Sequence, residues 1–505
     1  MNAISNNKLI AKNTIFLYIR MLLIMAVTLY TAQIILKALG IEDFGIYNIT
    51  GGLAASFVFF SSSLSNATQR FLSVELGKGD IVKVCNIFNI SLLIYLGMTI
   101  IVFLFAETIG LWFIKNKLII PIERLNSALW VFQMMIISLS LTLIGSVFNA
   151  VLIARENMKI YAYVGIFEAA AKLIIALILV NYTNDRLKLY ASLLLGVTIV
   201  AQTATAIVCF RKYPECHLRL YWNKRIFKNM LGFTSWNGIG TAVWVINEQG
   251  TNILLNIFFG PTVNAAKAIA SQVNTAVNNF STGFFTATRP QIIKLYANND
   301  RKNFINLIFK SSRFSFYLLW FFCLPIILRV NYILNLWLKN VPEYSSRFVT
   351  WILIFSLINV LNNPFWCAIQ ATGKLKYYIL IGSLTYLIAF PISYILLKYG
   401  NSPVIVFQIL AGIRFIYLIV TIYIVKHYIR FSVVDYFCKV LFPITKVILI
   451  TSAILFIINF RFIESFNSLL IISTISTISI ALSIYIVGIT SDERKWLIHK
   501  VYRNK

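Results

Sequence analysis

Apolar runs of about 20 residues follow one another along this chain, separated only by short polar segments. A helix of that length crosses the hydrocarbon core of a bilayer. Apolar residues make up 59% of the sequence and charged residues only 12%, which excludes a soluble enzyme. We therefore predict an all-α polytopic membrane protein with about fourteen spans. The spans are predicted at residues 14–36, 46–66, 87–106, 126–150, 160–180, 189–209, 229–258, 265–287, 307–330, 347–370, 377–397, 404–425, 441–460 and 468–488.

The basic residues are distributed unequally between the two sets of alternate loops. If the N-terminus is cytoplasmic, 27 of the 45 Lys and Arg residues lie on the cytoplasmic side and 9 on the outer side. Short loops rich in Lys and Arg stay in the cytoplasm. Both termini are therefore predicted to be cytoplasmic, and the first apolar run is predicted to be a retained span rather than a signal peptide. Topology thus explains most of the net charge of +28, and no nucleic-acid partner is predicted.

An internal repeat relates two segments that lie 220 residues apart. Six spans separate the copies, so both halves have the same orientation in the membrane. The repeat predicts an N-terminal six-helix lobe (1–210), a basic cytoplasmic linker (211–228), a C-terminal six-helix lobe (229–430), and two terminal helices with a basic tail (431–505). The matching residues are Gly40 with Gly260, Ala67-Thr68 with Ala287-Thr288, and Asp80 with Asp300.

A polar stripe runs along the eighth predicted span. Its members are three or four residues apart, which places them on one face of a helix. Such a stripe is typical of a water-filled cavity, although hydrogen bonding between helices would also explain small and amide residues. The stripe comprises Asn264, Lys267, Ser271, Asn274, Asn278 and Ser281.

Charged residues within the spans are the candidate functional residues, because burying a charge in a membrane is costly. Glu168 and Lys172 are four residues apart and are predicted to form a structural ion pair. Glu248 has no partner in its own helix, so it either pairs with another span or titrates with a coupling ion. A cavity with several cations suits an anion such as phosphate, and the surrounding polar side chains suit sugars. The predicted substrate-binding residues are Arg20, Lys267, Ser271, Asn274, Asn278 and Arg414.

Three segments resemble the bacterial oligosaccharide flippases of polysaccharide biosynthesis. They read KALGIEDFGIYN at 37–48, ATQRFLSVELGKGD at 67–80 and LWLKNVPEY at 336–344. The resemblance implies a member of the multidrug/oligosaccharidyl-lipid/polysaccharide exporter superfamily in the bacterial inner membrane. Such a protein flips undecaprenyl-pyrophosphate-linked oligosaccharide, such as an O-antigen unit, from the cytoplasmic to the periplasmic leaflet by alternating access. The implied partners are this glycan lipid, membrane lipids, H⁺ or Na⁺ as a coupling ion, and a glycan polymerase with other assembly proteins.

Two other functions are compatible with the sequence. A cation-coupled multidrug exporter of the same superfamily would share the architecture, but it would favour acidic groups in its cavity. A membrane glycan polymerase or ligase would need a large outer loop or a carboxylate or metal cluster. The sequence has neither feature, its six cysteines include no C-x-x-C pair, and no enzyme, disulfide, metal or cofactor is predicted.

Overall fold

A computed structural model describes residues 3–56, 59–155, 157–217, 219, 221–372, 376–459, 465–490 and 493–494. Within these ranges some side chains are not described, chiefly those of residues 3–23, 59–63 and 231–241. The described residues form helices joined by short turns and contain no strand. The predicted all-α class is therefore confirmed.

The helices follow one another with short connections. Short π-helical turns at Ala106–Gly110, Phe437–Leu441 and Ile484–Gly488 continue their neighbours. The helices are α1 (Ala3–Ala55), α2 (Phe59–Lys78), α3 (Ile81–Phe105), α4 (Leu111–Asn116), α5 (Leu125–Ala154), α6 (Met158–Asn181), α7 (Arg186–Lys212), α8 (Lys224–Phe259), α9 (Pro261–Ala297), α10 (Arg301–Leu328), α11 (Val330–Leu338), α12 (Ser345–Val360), α13 (Asn363–Thr372), α14 (Lys376–Leu387), α15 (Ala389–Lys398), α16 (Val404–Ile429), α17 (Val433–Tyr436), α18 (Phe442–Asn459) and α19 (Phe466–Ser483).

The described parts of the predicted spans fall on these helical segments, whereas residues 57–58 of the span 46–66 and residue 460 of the span 441–460 lie outside the described residues. Within the described residues, eleven segments are long and apolar enough to cross a membrane. Helices α8 and α9, which contain the predicted spans 229–258 and 265–287, are 36 and 37 residues long but are not among the eleven. These two helices carry much of the polar sequence singled out above. A multi-pass membrane protein is thus supported.

The chain divides into two compact units. Unit 1 comprises residues 1–268 and 390–403, and unit 2 comprises residues 269–389 and 404–505. Helix α8 packs against α1 and α2 and therefore belongs to unit 1, although the sequence repeat assigns it to the second lobe. The division into lobes at residues 211–228 stays a prediction.

Glycines with the same unusual backbone conformation occupy equivalent positions in the two copies of the repeat. Gly40 interrupts α1 at φ 81° and ψ 171°, and Gly260 ends α8 at φ 80° and ψ −175°. Positive φ is accessible to glycine without steric cost. The two positions lie 220 residues apart, so the local backbone agrees with the register inferred from the sequence.

A second pair of repeat-related turns begins α3 and α10. Gly79 and Asn299 both have positive φ, at 76° and 56°. Asp80 and Asp300 follow as N-caps, and each carboxylate accepts the backbone amide three residues further on. The sequence match between the two aspartates therefore reflects one helix-capping device used twice.

Each unit has its own buried aromatic packing. In unit 1, Phe88 and Phe148 contact each other at a centroid distance of 5.7 Å within a core that includes Tyr95. In unit 2, the rings of Phe348 and Phe407 lie 4.4 Å apart and join α12 to α16. Aromatic pairs of this kind stabilise beyond the area that they bury.

Helix α1 approaches the turn between α8 and α9 very closely at Gly45. A β-carbon added at Gly45 would overlap the backbone carbonyl of Pro261, which cannot rotate away. We expect Gly45→Ala to destabilise unit 1 by about 1–3 kcal/mol, as overpacking usually does. Thermal unfolding of the purified protein in detergent measures this effect. Gly97→Ala is the control, because nothing lies within 4 Å of a β-carbon there; equal melting temperatures of the two variants would contradict the close approach.

Candidate functional site

The α8–α9 hairpin brings polar side chains of two predicted spans together within unit 1. After the turn at Gly260, Asn264 of α9 donates from Nδ2 to the carbonyl oxygen of Asn252 in α8, at 2.8 Å. Asn252 in turn donates to Oε1 of Gln249 at 3.0 Å. Asn264 is fully buried, and its Oδ1 has no hydrogen-bond partner in the described structure. The hairpin thus creates a polar layer inside an apolar region.

Lys267 and Glu248 form an ion pair in this layer. Lys267 Nζ lies 3.0 Å from Oε1 of Glu248 and donates to the Glu248 carbonyl oxygen at 2.8 Å. Two acceptors from one residue therefore hold the ammonium. Of the alternatives open for Glu248, the structure shows pairing with Lys267, because the hairpin places α8 and α9 side by side.

The two members of the pair differ in exposure. The side chain of Lys267 is 4% exposed, whereas that of Glu248 is 41% exposed. The carboxylate is therefore the more accessible member of the pair. Because an ammonium is expensive to bury alone, Lys267 depends on Glu248 more than Glu248 depends on Lys267.

This asymmetry predicts unequal effects of neutralising the two residues. Glu248→Gln leaves a buried ammonium with one neutral carbonyl acceptor and should lower stability by about 2–3 kcal/mol. Lys267→Gln leaves a partly solvated carboxylate and should cost under about 1 kcal/mol. Thermal unfolding of both variants under identical conditions measures the difference. A larger loss of stability for Lys267→Gln than for Glu248→Gln would show that Glu248, and not Lys267, is the more deeply buried member of the pair.

Three polar residues of unit 2 form a second cluster between α9 and α12. Ser356 Oγ donates to Oδ1 of Asn274 at 2.6 Å, and Asn278 Nδ2 donates to the same oxygen at 2.8 Å. Asn278 also lies 3.1 Å from Ser356 Oγ. The polar stripe of α9 is thus partly a helix-packing device here, which is the alternative that the sequence left open.

Arg414 occupies an aromatic enclosure in unit 2. Its guanidinium carbon lies 4.7 Å from the ring centroid of Tyr417, with Phe355 at 5.8 Å and Tyr386 at 5.9 Å. Its Nη2 donates to Asn359 Oδ1, and its Nε is buried without a partner in the described structure. Cation–π contacts of this kind offset the loss of hydration. The enclosure holds the cation in place and leaves the N–H of Nε unused.

The remaining predicted site residues are placed as follows. Arg20 lies in α1, but its side chain is outside the described residues. Ser271 is half-buried in α9. Glu168 and Lys172 do not form the predicted ion pair within the described part of α6, and Lys172 is exposed. Spacing of four residues makes a contact possible but does not bring two flexible side chains together at an exposed face.

Ion pairs that the sequence did not indicate hold the connections of unit 1. Arg155 makes a bidentate pair with the buried Glu215, at 2.7 and 2.8 Å, and this contact raises the pKa of the guanidinium. Arg124 bridges Asp43 at 2.8 Å and Asp185 at 3.6 Å. These residues are far apart in sequence, so no local spacing could have revealed the pairs.

The carboxyl group of Asp185 lies at the start of α7, where burial and the neighbouring groups shift its pKa in opposite directions. Burial disfavours its charged form, but the Ser127 hydroxyl, the Lys188 amide and Arg124 together hold its pKa below the ordinary value of 3.8. A depressed pKa stabilises the fold above the unfolded-state pKa. The stability that the Asp185 carboxylate contributes is lost as the pH falls through the pKa of this group in the folded protein, which lies below its pKa in the unfolded chain.

Several solved transporter structures resemble this chain. An inward-facing multidrug resistance MATE family transporter of the MOP superfamily matches with a TM-score of 0.71 at 14% identity, covering 82% of this chain and 98% of that one. The lipid II flippase MurJ, in an inward closed conformation, matches with a TM-score of 0.68 at 14% identity, covering 93% and 98%. The chain has the fold of these transporters.

A third solved structure has the same fold. It is a MOP superfamily transporter from Pyrococcus furiosus, with a TM-score of 0.62 at 15% identity, covering 83% of this chain and 95% of that one. Its description reports a reversed polarity of the binding pocket. The sequence of the present chain matches no family model and no curated protein. The similarity is therefore one of fold.

Proposed function

We propose that this protein is a flippase that moves undecaprenyl-pyrophosphate-linked oligosaccharide from the cytoplasmic to the periplasmic leaflet of the bacterial inner membrane. It would work by alternating access, with both termini in the cytoplasm and without catalysing a covalent reaction. Its product would pass to a glycan polymerase and the other proteins of cell-surface polysaccharide assembly. Two features support this proposal: a fold shared with MurJ and MATE transporters, and cations held within predicted spans.

The observation that carries the proposal is the ammonium of Lys267, which is held inside unit 1 by a partly exposed carboxylate. A pyrophosphate must give up its hydration to enter a membrane, and fixed cations replace that hydration. Lys267 offers up to three donors, and Glu248 accepts one of them through its more accessible side chain. A pyrophosphate oxygen can take the place of the carboxylate without exposing Lys267 to hydrocarbon.

Glu248 then acts as a competitor that the substrate displaces. With no phosphate bound, the carboxylate neutralises Lys267. When phosphate binds, the displaced carboxylate can take up H⁺ or Na⁺ instead, which couples substrate binding to ion binding. Each charge moved across the membrane supplies about 2.3 kcal/mol per 100 mV. The coupling role fails if Glu248→Gln protein in vesicles responds to imposed ion gradients as the unmodified protein does.

The predicted substrate-binding residues of unit 2 suit the same chemical groups of a pyrophosphate-linked glycan. Arg414 has a free buried Nε for a phosphate oxygen, and its aromatic enclosure keeps the guanidinium oriented. Ser271, Asn274 and Asn278 offer hydroxyl and amide groups suited to sugars or to phosphate oxygens. Arg20 is assigned to the pyrophosphate from its position in the first predicted span. The lipid tail can remain in the bilayer throughout.

Deletion of the protein in its host tests the proposed function. Loss of a flippase leaves a completed oligosaccharide on undecaprenyl pyrophosphate in the cytoplasmic leaflet, because synthesis precedes translocation. Analysis of extracted lipid-linked sugars measures the chain length, and a membrane-impermeant glycosidase measures the leaflet. Accumulation of a truncated oligosaccharide would instead indicate a biosynthetic enzyme.

A cation-coupled multidrug exporter is the second candidate. It is favoured by the fold shared with the MATE family transporter and by the exposed carboxylate of Glu248, which could attract a cationic drug. Under this alternative, expression in a drug-sensitive host raises resistance to cationic compounds, and Glu248→Gln abolishes that resistance. Lipid-linked sugars would then be unchanged by deletion. The partnered state of Glu248 favours the flippase, since Lys267 already neutralises the carboxylate.

A further inference from the structure

Two adjoining cavities of unit 2 surround the end of α16. The larger has a volume of about 660 Å³ and is lined by Tyr423, Lys426, His427, Tyr428, Arg430 and Phe431. The smaller, of about 260 Å³, shares Tyr428 and Arg430 with the larger and adds Arg301 and residues of α9 and α10. A volume of several hundred cubic ångströms is that of a small-molecule site. The lining of the larger cavity is basic and aromatic, and none of the described residues that line either cavity carries a carboxylate.

The backbone at this place has a fixed form. Arg430 has φ 49°, in the left-handed region that a non-glycine residue adopts at a cost. Arg301 Nη2 donates to the carbonyl oxygen of Arg430 at 2.5 Å, and the Arg430 amide donates to Lys426 at 2.8 Å. These two hydrogen bonds, both to backbone carbonyl oxygens, stabilise the turn after α16 and fix the direction in which the chain leaves the helix.

The cations of the larger cavity are available to a ligand. Within the described residues, no hydrogen bond or ion pair involves the side-chain nitrogens of Lys426 or Arg430, and both side chains are exposed. Arg313, by contrast, is buried and paired with Glu493. Basic residues in the last turn of a helix often do no more than compensate the helix dipole. Arg430 lies beyond that turn, and compensation of a dipole requires neither a cavity nor aromatic walls.

Tyrosine and basic residues together are typical of a membrane–water interface. The apolar segment Val404–Ile429 is long enough to cross the bilayer, so the cavity lies where a span ends. The charge distribution of the loops predicts that this end is cytoplasmic. The cytoplasmic leaflet carries anionic lipids, and basic pockets on that side bind their head groups.

We propose that the larger cavity binds the phosphate of an anionic phospholipid head group in the cytoplasmic leaflet. Lys426 and Arg430 contact the phosphate oxygens, while the exposed ring of Tyr423 packs against the glycerol and the first methylene groups. This site is separate from the proposed transport residues and does not depend on the transported substrate. Phosphate borne by the lipid-linked substrate or free in solution shares this chemistry, and the test separates these sources.

The test uses the full-length protein in nanodiscs and measures retained lipid by native mass spectrometry after exchange with phosphatidylglycerol or phosphatidylcholine. The variant Lys426→Gln/Arg430→Gln removes two charges at exposed side chains, so the fold should be retained. The matched control is Lys224→Gln/Arg225→Gln, which removes two exposed charges at the start of α8, another cytoplasmic segment by prediction. A melting curve checks that both variants are folded.

We expect the cavity variant to retain phosphatidylglycerol at least about tenfold less than the unmodified protein, because each interfacial charge contributes to anionic lipid binding. The control variant should change less than about threefold, and phosphatidylcholine should be retained equally by all three proteins. Equal losses in both variants would overturn the proposal in favour of general attraction to the surface. Displacement of the lipid by inorganic pyrophosphate or by undecaprenyl pyrophosphate at equal concentration would overturn the assignment to phospholipid.

Discussion

Lys267→Gln should lower the rate of lipid-linked oligosaccharide translocation about 100-fold. The substitution removes the charge while keeping a hydrogen-bonding group of similar length. Loss of one partner from a desolvated charge-assisted contact costs about 3 kcal/mol, which is roughly a factor of 100. Because Glu248 is 41% exposed, the remaining carboxylate stays partly hydrated and the protein should fold. Translocation is measured in vesicles that contain equal amounts of unmodified and variant protein.

Lys172→Gln provides the matched control for this prediction. Lys172 also lies in a predicted span, but it is exposed on α6 and has no ion-pair partner in the described structure. Lys172→Gln should leave the rate of translocation within about twofold of that of the unmodified protein, because it removes a charge without changing the Lys267–Glu248 ion pair. Similar losses in both variants would indicate a general effect of membrane charge, and an unimpaired Lys267→Gln protein would remove Lys267 from the transport mechanism.

Arg313→Leu should destabilise unit 2 by about 3 kcal/mol, because it leaves a buried carboxylate without its main partner. Arg313 Nη2 donates to Oε1 of Glu493 at 2.7 Å, and Nη1 donates to the carbonyl oxygen of Lys439 at 3.1 Å. The side chains are only 3% and 10% exposed. The pair thus fastens the segment after α19 and the start of the terminal helix pair to α10. Thermal unfolding in detergent measures the loss.

The double variant Arg313→Leu/Glu493→Leu separates pairing from burial. Replacement of a whole buried ion pair by apolar residues is often neutral, so most of the lost stability should return. Lys310→Gln is the control at the same carboxylate. Lys310 Nζ lies 3.6 Å from Oε1 of Glu493, but the lysine side chain is 45% exposed. Its neutralisation should therefore lower the free energy of unfolding by less than about 1 kcal/mol. A double variant as unstable as Arg313→Leu would show that the pair does not fasten these segments.

The apolar runs and the internal repeat of the sequence predicted much of the fold. Apolar runs located the helices, because one span needs about 20 residues whatever its neighbours are. The repeat located equivalent turns, since Gly40 and Gly260 adopt one backbone conformation, and Asp80 and Asp300 cap their helices in the same way. These features are local, and each can be recognised without knowing how helices pack.

Side-chain partners were predicted less well because they depend on packing. The spacing on α9 identified the stripe, and the structure divides the contacts of its members: Lys267 pairs with Glu248, while Asn274 and Asn278 bond to Ser356. The aromatic enclosure of Arg414 is visible in sequence only through Tyr417, three residues away on the same helix. The rings of Phe355 and Tyr386 belong to the neighbouring helices α12 and α14, so no spacing within α16 could indicate them.

Translocation of a defined undecaprenyl-pyrophosphate-linked oligosaccharide in vesicles containing only this protein tests the proposed flippase function. A membrane-impermeant glycosidase reports the substrate that has reached the outer surface from the inner leaflet. Unmodified protein should make the substrate of the inner leaflet accessible to the glycosidase, and Lys267→Gln protein should do so about 100-fold more slowly. Vesicles with unmodified, folded protein that expose no more substrate than protein-free vesicles, with or without an ion gradient, would contradict this function.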